Sequence, residues 1–267
     1  MAAGHPTTKF QGVQAPDGTW LDVVYTNNNC TLKWVLDMYE GWLAASKHRF
    51  VGLDLEYTPD LNPRTKRHAV ALMQIAMHKH VLLFHWCRSS QTQHGRDLLQ
   101  NFFLHEGVKF ASMDTTGDTK ALVESGFTPP TQHIDIQSLF GSKFGMSTLA
   151  GEMIHPSYHE MKDNFPTYLH RRWHLPLCKK SLEYAAVDGY VSFELYSRIQ
   201  TMKDALGPTW LDPLIPITRK KNDNHGGGTS RSNSRREHRG GESNQFDKRY
   251  LGFLFIFCMV CVCARTE

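Results

Sequence analysis

Phe50–Tyr57 reads FVGLDLEY. Val51, Leu53 and Leu55 alternate with Gly52, Asp54 and Glu56, and a period of two is the period of a β-strand. Asp54 and Glu56 therefore point to one face, one pleat apart. The apolar flanks place this strand inside a sheet. Two carboxylates at a buried edge repel, and desolvation opposes both charges. The stretch alone admits two readings: a strand that ends at the surface with two solvated acids, or a pair with a cation between them. A divalent metal with oxygen ligands is the simplest such cation.

Upstream, Lys9–Gln14 and Thr19–Thr26 read as short strands. Pro16-Asp17-Gly18 between them is a turn, because Pro presets φ and Gly accepts a positive φ. Thr31 is placed to cap a helix with Leu32, Val35, Leu36, Tyr39, Trp42 and Leu43 on one stripe. Downstream, Thr58–Arg67 with Pro59 and Pro63 is a polar loop. Val70–Ala76 and His80–His85 read as strands joined tightly, so the sheet starts with antiparallel neighbours. Helices are expected at Asp97–Leu104, Thr119–Ser125 and Thr148–Ile154, and short strands at Val108–Ser112 and His133–Ile136. His155–Pro176 is irregular and rich in histidine and aromatics. Ser181–Met202 is the longest helix. Strands first, then strand and helix in alternation, predict a mixed α/β sheet with helices on both faces.

At 267 residues the chain is long enough for one good-sized core. Its net charge of +4 is uneven. Arg219–Arg249 holds nine Lys/Arg against four Asp/Glu, a net +5, so the remainder carries −1. The basicity belongs to a tail, and pI says little about the core. Cys30, Cys87 and Cys178 are scattered, as in a reducing compartment. Cys258-x-x-Cys261 sits in an apolar run without a second pair, and reads as tail composition. MAAGHPTTKF has no apolar stretch of the signal-peptide kind.

Tyr184 and Asp188 lie four apart in LEYAAVDGY and share a helix face. Asp118 opens a helix just past a strand end, where ligand sites of α/β sheets collect. Asp54, Glu56, Asp118 and Asp188 thus bring four carboxylates from three separated elements. Such a set has a two-metal use in phosphoryl transfer.

Leu53-Asp54-Leu55-Glu56, Gly117-Asp118-x-Lys120-x-Leu122 and Tyr184-Ala-Ala-x-Asp188 resemble the three motifs of the DEDDy 3′–5′ exonucleases. Within that family the chain is most similar to the Werner-syndrome-protein-type exonuclease domain and its stand-alone plant relatives. Gln74, Asp135, Trp173 and Pro176-Leu177 agree with it, over residues 15–205. The resemblance implies an RNase H-like (DnaQ-like) α/β fold, a mixed sheet flanked by helices. It implies removal of nucleotides from 3′ ends of DNA or RNA with two Mg²⁺ or Mn²⁺. Asp54, Glu56 and Asp188 would hold one metal, Asp54 would bridge to the second, and Asp118 would reach that one. Tyr184 would orient or help deprotonate the attacking water. In the subclass that uses His, the His stands one residue earlier, where this chain has Glu183. Leu55, inside the first motif, would line the substrate. Arg171 and Arg172 are candidates for phosphate contact, and Trp173 is expected to pack inward. The resemblance implies a nuclear or cytoplasmic enzyme, and leaves a homo-oligomer open.

Phe110–Met113, Cys178, Ser181 and Gly189 depart from the family pattern, and Gly189 costs a helix about 1 kcal/mol relative to Ala. Asp114 is a rival for the acid of the second motif. None of these departures removes a ligand, but together they point to a divergent copy. The alternative function is a catalytically weak, nuclease-like module that binds nucleic acid. The domain is expected to end near residue 215. Residues 216–249 read as a disordered basic linker rich in Gly, Ser and Arg. Tyr250–Ala264 is fifteen uncharged residues, short of the roughly 17–25 that span a bilayer. It reads as a marginal tail anchor or a non-native end, with membrane association the less favoured of the two.

Overall fold

A computed structural model describes residues 6–57, 69–140 and 144–207. The loop expected at Thr58–Arg67, the domain end near 215 and the tail segments 216–249 and 250–267 lie outside the described residues. Among the described residues, seven strands form one mixed sheet: β1 (Thr8–Gln14), β2 (Trp20–Thr26), β3 (Phe50–Tyr57), β4 (Val70–Met77), β5 (His80–Phe84), β6 (Lys109–Ser112) and β7 (His133–Asp135). Their order across the sheet is β1-β2-β5-β4-β3-β6-β7. The β1/β2, β3/β4 and β4/β5 pairs are antiparallel, while β2/β5, β3/β6 and β6/β7 are parallel. The FVGLDLEY strand is therefore interior, between β4 and β6, as its apolar flanks require. β4 is buried along its whole length, which is why VALMQIAM lacks the alternation of a half-exposed strand.

Among the described residues, five α-helices accompany the sheet: α1 (Asn29–Ala45), α2 (Gln93–Phe103), α3 (Thr115–Glu124), α4 (Met146–Met153) and α5 (Lys179–Leu206). Their starts are set by polar caps that hydrophobic periodicity does not reveal. Asn28, not Thr31, caps α1 by accepting from the Cys30 N–H. Thr31 instead hydrogen-bonds the Thr8 hydroxyl at 3.0 Å and ties α1 to β1. Thr92 caps α2, which starts at Gln93, four residues ahead of the expected Asp97. Asp114 caps α3 by accepting from the Thr116 and Gly117 N–H groups, so this helix begins at Thr115 rather than Thr119. The segment 155–176, expected to be irregular, contains two single 3₁₀ turns, Pro156–Glu160 and Thr167–Arg171.

α5 lies flat against β3, β4 and β5, and glycines on both elements allow the approach. A Cβ on Gly52 would collide with the Phe193 backbone nitrogen and come within 2.7 Å of the Gly189 carbonyl oxygen. A Cβ on Gly189 would stand 3.0 Å from the Gln74 Cβ. Gly52 is thus a packing requirement, while Gly189 stands in close contact with the sheet. The helix-propensity cost of Gly189, about 1 kcal/mol, is set against the burial of α5 on the sheet.

Candidate active site

The strand, the helix contact and the chemistry meet at one end of β3. Asp54 pairs across the sheet with Gln74, and Gly52, Asp54 and Glu56 share the face against which α5 packs. Asp188 stands on that face of α5, one residue before Gly189. The close approach of α5 thus carries the Asp188 carboxylate to the carboxylates of β3. One oxygen from each of Asp54, Glu56 and Asp188 lies within 4.8 Å of the others. Asp54 and Glu56 are half-buried and Asp188 is 2 % exposed.

Asp118 lies in the first turn of α3 and is 4 % exposed. It stands beside this trio, close enough to act on the charges of Asp54 and Glu56. The Tyr57 hydroxyl donates to its Oδ1 at 2.7 Å and fixes its direction. Asp114, the rival acid, is occupied with the α3 cap. Asp135 does a similar job one strand over, accepting from the Gln137 N–H at 2.9 Å.

The electrostatics are those of an anion cluster. Burial raises the titration of Asp54 far above the ordinary range, and the Asp188 and Asp118 charges raise it further. Glu56 is raised by burial and by Asp54. Asp188 is also raised by burial, against the opposing charge of Lys162. Asp118 is pushed up to about 7 by burial, although hydrogen bonds from Tyr57 and Ser112 oppose the shift. All-oxygen carboxylate donors suit a hard divalent cation. Asp188 Oδ1 is buried and has no hydrogen-bond partner, as an oxygen reserved for a ligand would be. The residues fit a divalent metal.

Tyr184 lies one turn before Asp188. Its ring stacks on Phe165 at 4.0 Å between centroids, with the His170 ring edge-on at 5.7 Å. Burial and the Asp188 charge hold its phenol above the usual tyrosine range, so it remains a hydroxyl donor. Beside it opens a cavity of about 320 Å³ lined by Met161, Asn164, Phe165, Tyr184, Val187 and Asp188, among others.

Not every predicted residue joins this group. Leu55 turns to the opposite face of β3 and is buried there, so its side chain is not among those around the carboxylates. Arg171 and Arg172 are exposed, and the Arg172 guanidinium lies over the Tyr168 ring at 5.3 Å. Trp173 packs inward as expected, at 1 % exposure. Three participants were missed by sequence reasoning: Tyr57, Phe165 and Lys162. The Lys162 ammonium donates to Asp188 Oδ2 at 3.0 Å. Tyr57 could have been suspected as the next residue after the Asp-x-Glu pair. Lys162 and Phe165 sit in turns with no periodicity to mark them.

A 3′–5′ exonuclease family model matches residues 40–204, and the chain belongs to that family. Members of the family depend on divalent metal, which agrees with the carboxylate cluster. No curated protein matches the chain by sequence. Among solved structures it is similar to Trypanosoma brucei RNase D in complex with GMP. The TM-score is 0.56 and the identity 17 %, over 71 % of this chain and 58 % of that one. The same protein in complex with RNA U12 gives 0.52 at 18 % identity, over 66 % and 61 %. Escherichia coli RNase D, an exoribonuclease involved in structured RNA processing, gives 0.51 at 18 % identity, over 67 % and 45 %. The chain thus spans about half the length of these RNase D structures, and at such identities the likeness is one of fold.

Proposed function

We propose that this chain is a DEDDy-type 3′–5′ exonuclease that removes nucleotides from the 3′ ends of nucleic acid, with Mg²⁺ or Mn²⁺ as cofactor. The observation that carries this reading is the convergence of Asp54, Glu56 and Asp188 on one point, one helical turn from Tyr184. Asp54, Glu56 and Asp188 would hold one ion, with Asp54 shared and Asp118 directed toward the second. When bound, the ions supply an acidified water and neutralise charge on the phosphate. The Tyr184 hydroxyl would orient the attacking water toward the phosphorus of the terminal nucleotide. The new P–O bond forms as the bond to the 3′ oxygen of the preceding nucleotide breaks, and that oxygen takes a proton. The products are a nucleoside 5′-monophosphate and a strand one residue shorter.

The RNA-bound RNase D neighbour supports a nucleic-acid substrate, and RNA is included with DNA for that reason. Tyr184, in place of a histidine one residue earlier, supports the Tyr subclass, and the three motifs with Gln74, Asp135 and Trp173 support a Werner-type relationship. Arg171 and Arg172 would meet a phosphate backbone, a role their exposure supports. The enzyme would act in the nucleus or cytoplasm.

The test is digestion of matched 5′-labelled DNA and RNA strands with Mg²⁺, with Mn²⁺ and with EDTA. A ladder shortening from the 3′ end in metal, absent in EDTA, is the expected result. Tight binding of both strands without shortening in either metal would instead favour the binding-module reading.

A further inference from the structure

The carboxylate cluster already has one cation, and it belongs to the protein. Lys162 lies just past the turn Pro156–Glu160, in a connection that is neither helix nor strand. Its ammonium is 3.0 Å from Asp188 Oδ2 and 5.2 Å from the centre of the Tyr184 ring. Its charge also acts on Asp54 and Glu56. Asp188 is 3 % exposed at its side chain while Lys162 is 36 % exposed, so the lysine reaches into the cluster from the solvent side.

The reach is held by its neighbours. Phe165, three residues on, stacks between Tyr184 at 4.0 Å and Trp173 at 5.8 Å. The Trp173 carbonyl accepts from His85 Nε2 at 2.8 Å, and His85 Nδ1 accepts from the Tyr25 hydroxyl at 2.7 Å. The stem of the segment is therefore anchored to the ends of β2 and β5, while the lysine tip keeps four rotatable bonds.

We propose that Lys162 is a built-in counter-ion of the carboxylate site, one whose charge opposes a divalent ion bound through the free Asp188 Oδ1. This inference rests on the metal-dependent reading above. Two physical consequences follow. Without metal, the ammonium relieves the repulsion among Asp54, Glu56 and Asp188, so the lysine favours the folded, unloaded enzyme. With a divalent ion at Asp188 Oδ1, the ammonium on Oδ2 repels it and draws on the same carboxylate charge, so the lysine weakens metal affinity. Lys162 acts through Asp188 and is a positioning residue.

The decisive variant is Lys162→Met, which keeps the stem and removes the charge, with Lys162→Arg as the variant that retains charge. Mn²⁺ affinity is measured directly from free Mn²⁺ by electron paramagnetic resonance, beside melting curves in EDTA and in Mn²⁺. Lys162→Met is expected to melt lower in EDTA, to gain more from Mn²⁺, and to bind Mn²⁺ about tenfold more tightly, a change of about 1.4 kcal/mol. Lys162→Arg is expected to stay near wild type. Unchanged or weaker Mn²⁺ binding in Lys162→Met, beside normal binding in wild type, overturns the counter-ion role. A wild type that binds no Mn²⁺ overturns the metal reading itself, and this inference with it.

Discussion

Asp114 and Asp118 are four residues apart and have different work. Asp114 caps α3, and asparagine caps nearly as well as aspartate, so Asp114→Asn should leave both stability and activity close to wild type. Asp118 faces inward to Tyr57 and the β3 carboxylates, and Asp118→Asn should cost far more in rate. Equal losses in single-turnover digestion would mean that the second motif is misaligned here. Tyr184→Phe keeps the ring on Phe165 and removes only the hydroxyl. Turnover should fall on the order of 10²–10⁴-fold, with an unchanged melting curve and unchanged oligonucleotide binding. Full activity would show that the phenol has no part in orienting water. Asp54 with Glu56, and Tyr184 with Asp188, were legible as pairs because a period of two and a spacing of four place them on shared faces, while their grouping with Asp118 rested on the resemblance of three motifs. Lys162 was not, because its approach to Asp188, 26 residues further on, exists only once the 155–176 segment has folded over α5.

The contact between α5 and β3 determines how near Asp188 comes to Asp54. At Gly52 an added methyl meets the backbone of α5, which cannot turn aside as a side chain can. Gly52→Ala should destabilise by about 1–3 kcal/mol and lower activity as α5 moves out. At Gly189 the same methyl stands 3.0 Å from the Gln74 Cβ, a contact that a few tenths of an ångström relieve. There the gain in helix propensity, about 1 kcal/mol, offsets most of the strain, and Gly189→Ala should be near neutral in a thermal melt. Similar losses at the two positions would mean that the helix is not held by close backbone approach. At this scale the strands were legible almost to the residue, since alternation and burial mark them. Helix starts were misplaced by up to four residues, because Asn28, Thr92 and Asp114 act through hydrogen bonds that hydrophobic periodicity does not contain. Gly189 read as a departure for a similar reason: its close contact lies on the sheet, at Gln74.

For the whole molecule, buried histidine ties stability to pH. Burial lowers His85 to about 4, from an ordinary value of 6.5. The folded protein holds the His85 proton only below about 4, while the unfolded chain takes it up below about 6.5. Acid therefore favours unfolding through that window, by roughly 3 kcal/mol for His85 when complete. His133, lowered by burial to about 4, acts in the same direction. Asp118, raised to about 7, acts in the opposite one, since the folded state holds its proton at higher pH than the unfolded chain. The difference between wild-type and His85→Gln melting profiles from pH 7 to 4.5 isolates the histidine. The wild type should lose more, and parallel profiles would remove His85 from the account. The order of strands and helices, and so the mixed sheet, was legible in the chain as a whole. The strand order was not, because pairing between β2 and β5 or β3 and β6 joins segments with no local signal. The central claim is that Asp54 belongs to a metal-dependent cleavage site. The most direct test is single-turnover digestion of a 5′-labelled strand by wild type and Asp54→Ala in Mg²⁺, with equal folding shown by melting curves. The account predicts a ladder from the 3′ end for wild type and none for Asp54→Ala. Near wild-type cleavage by a folded Asp54→Ala would contradict it.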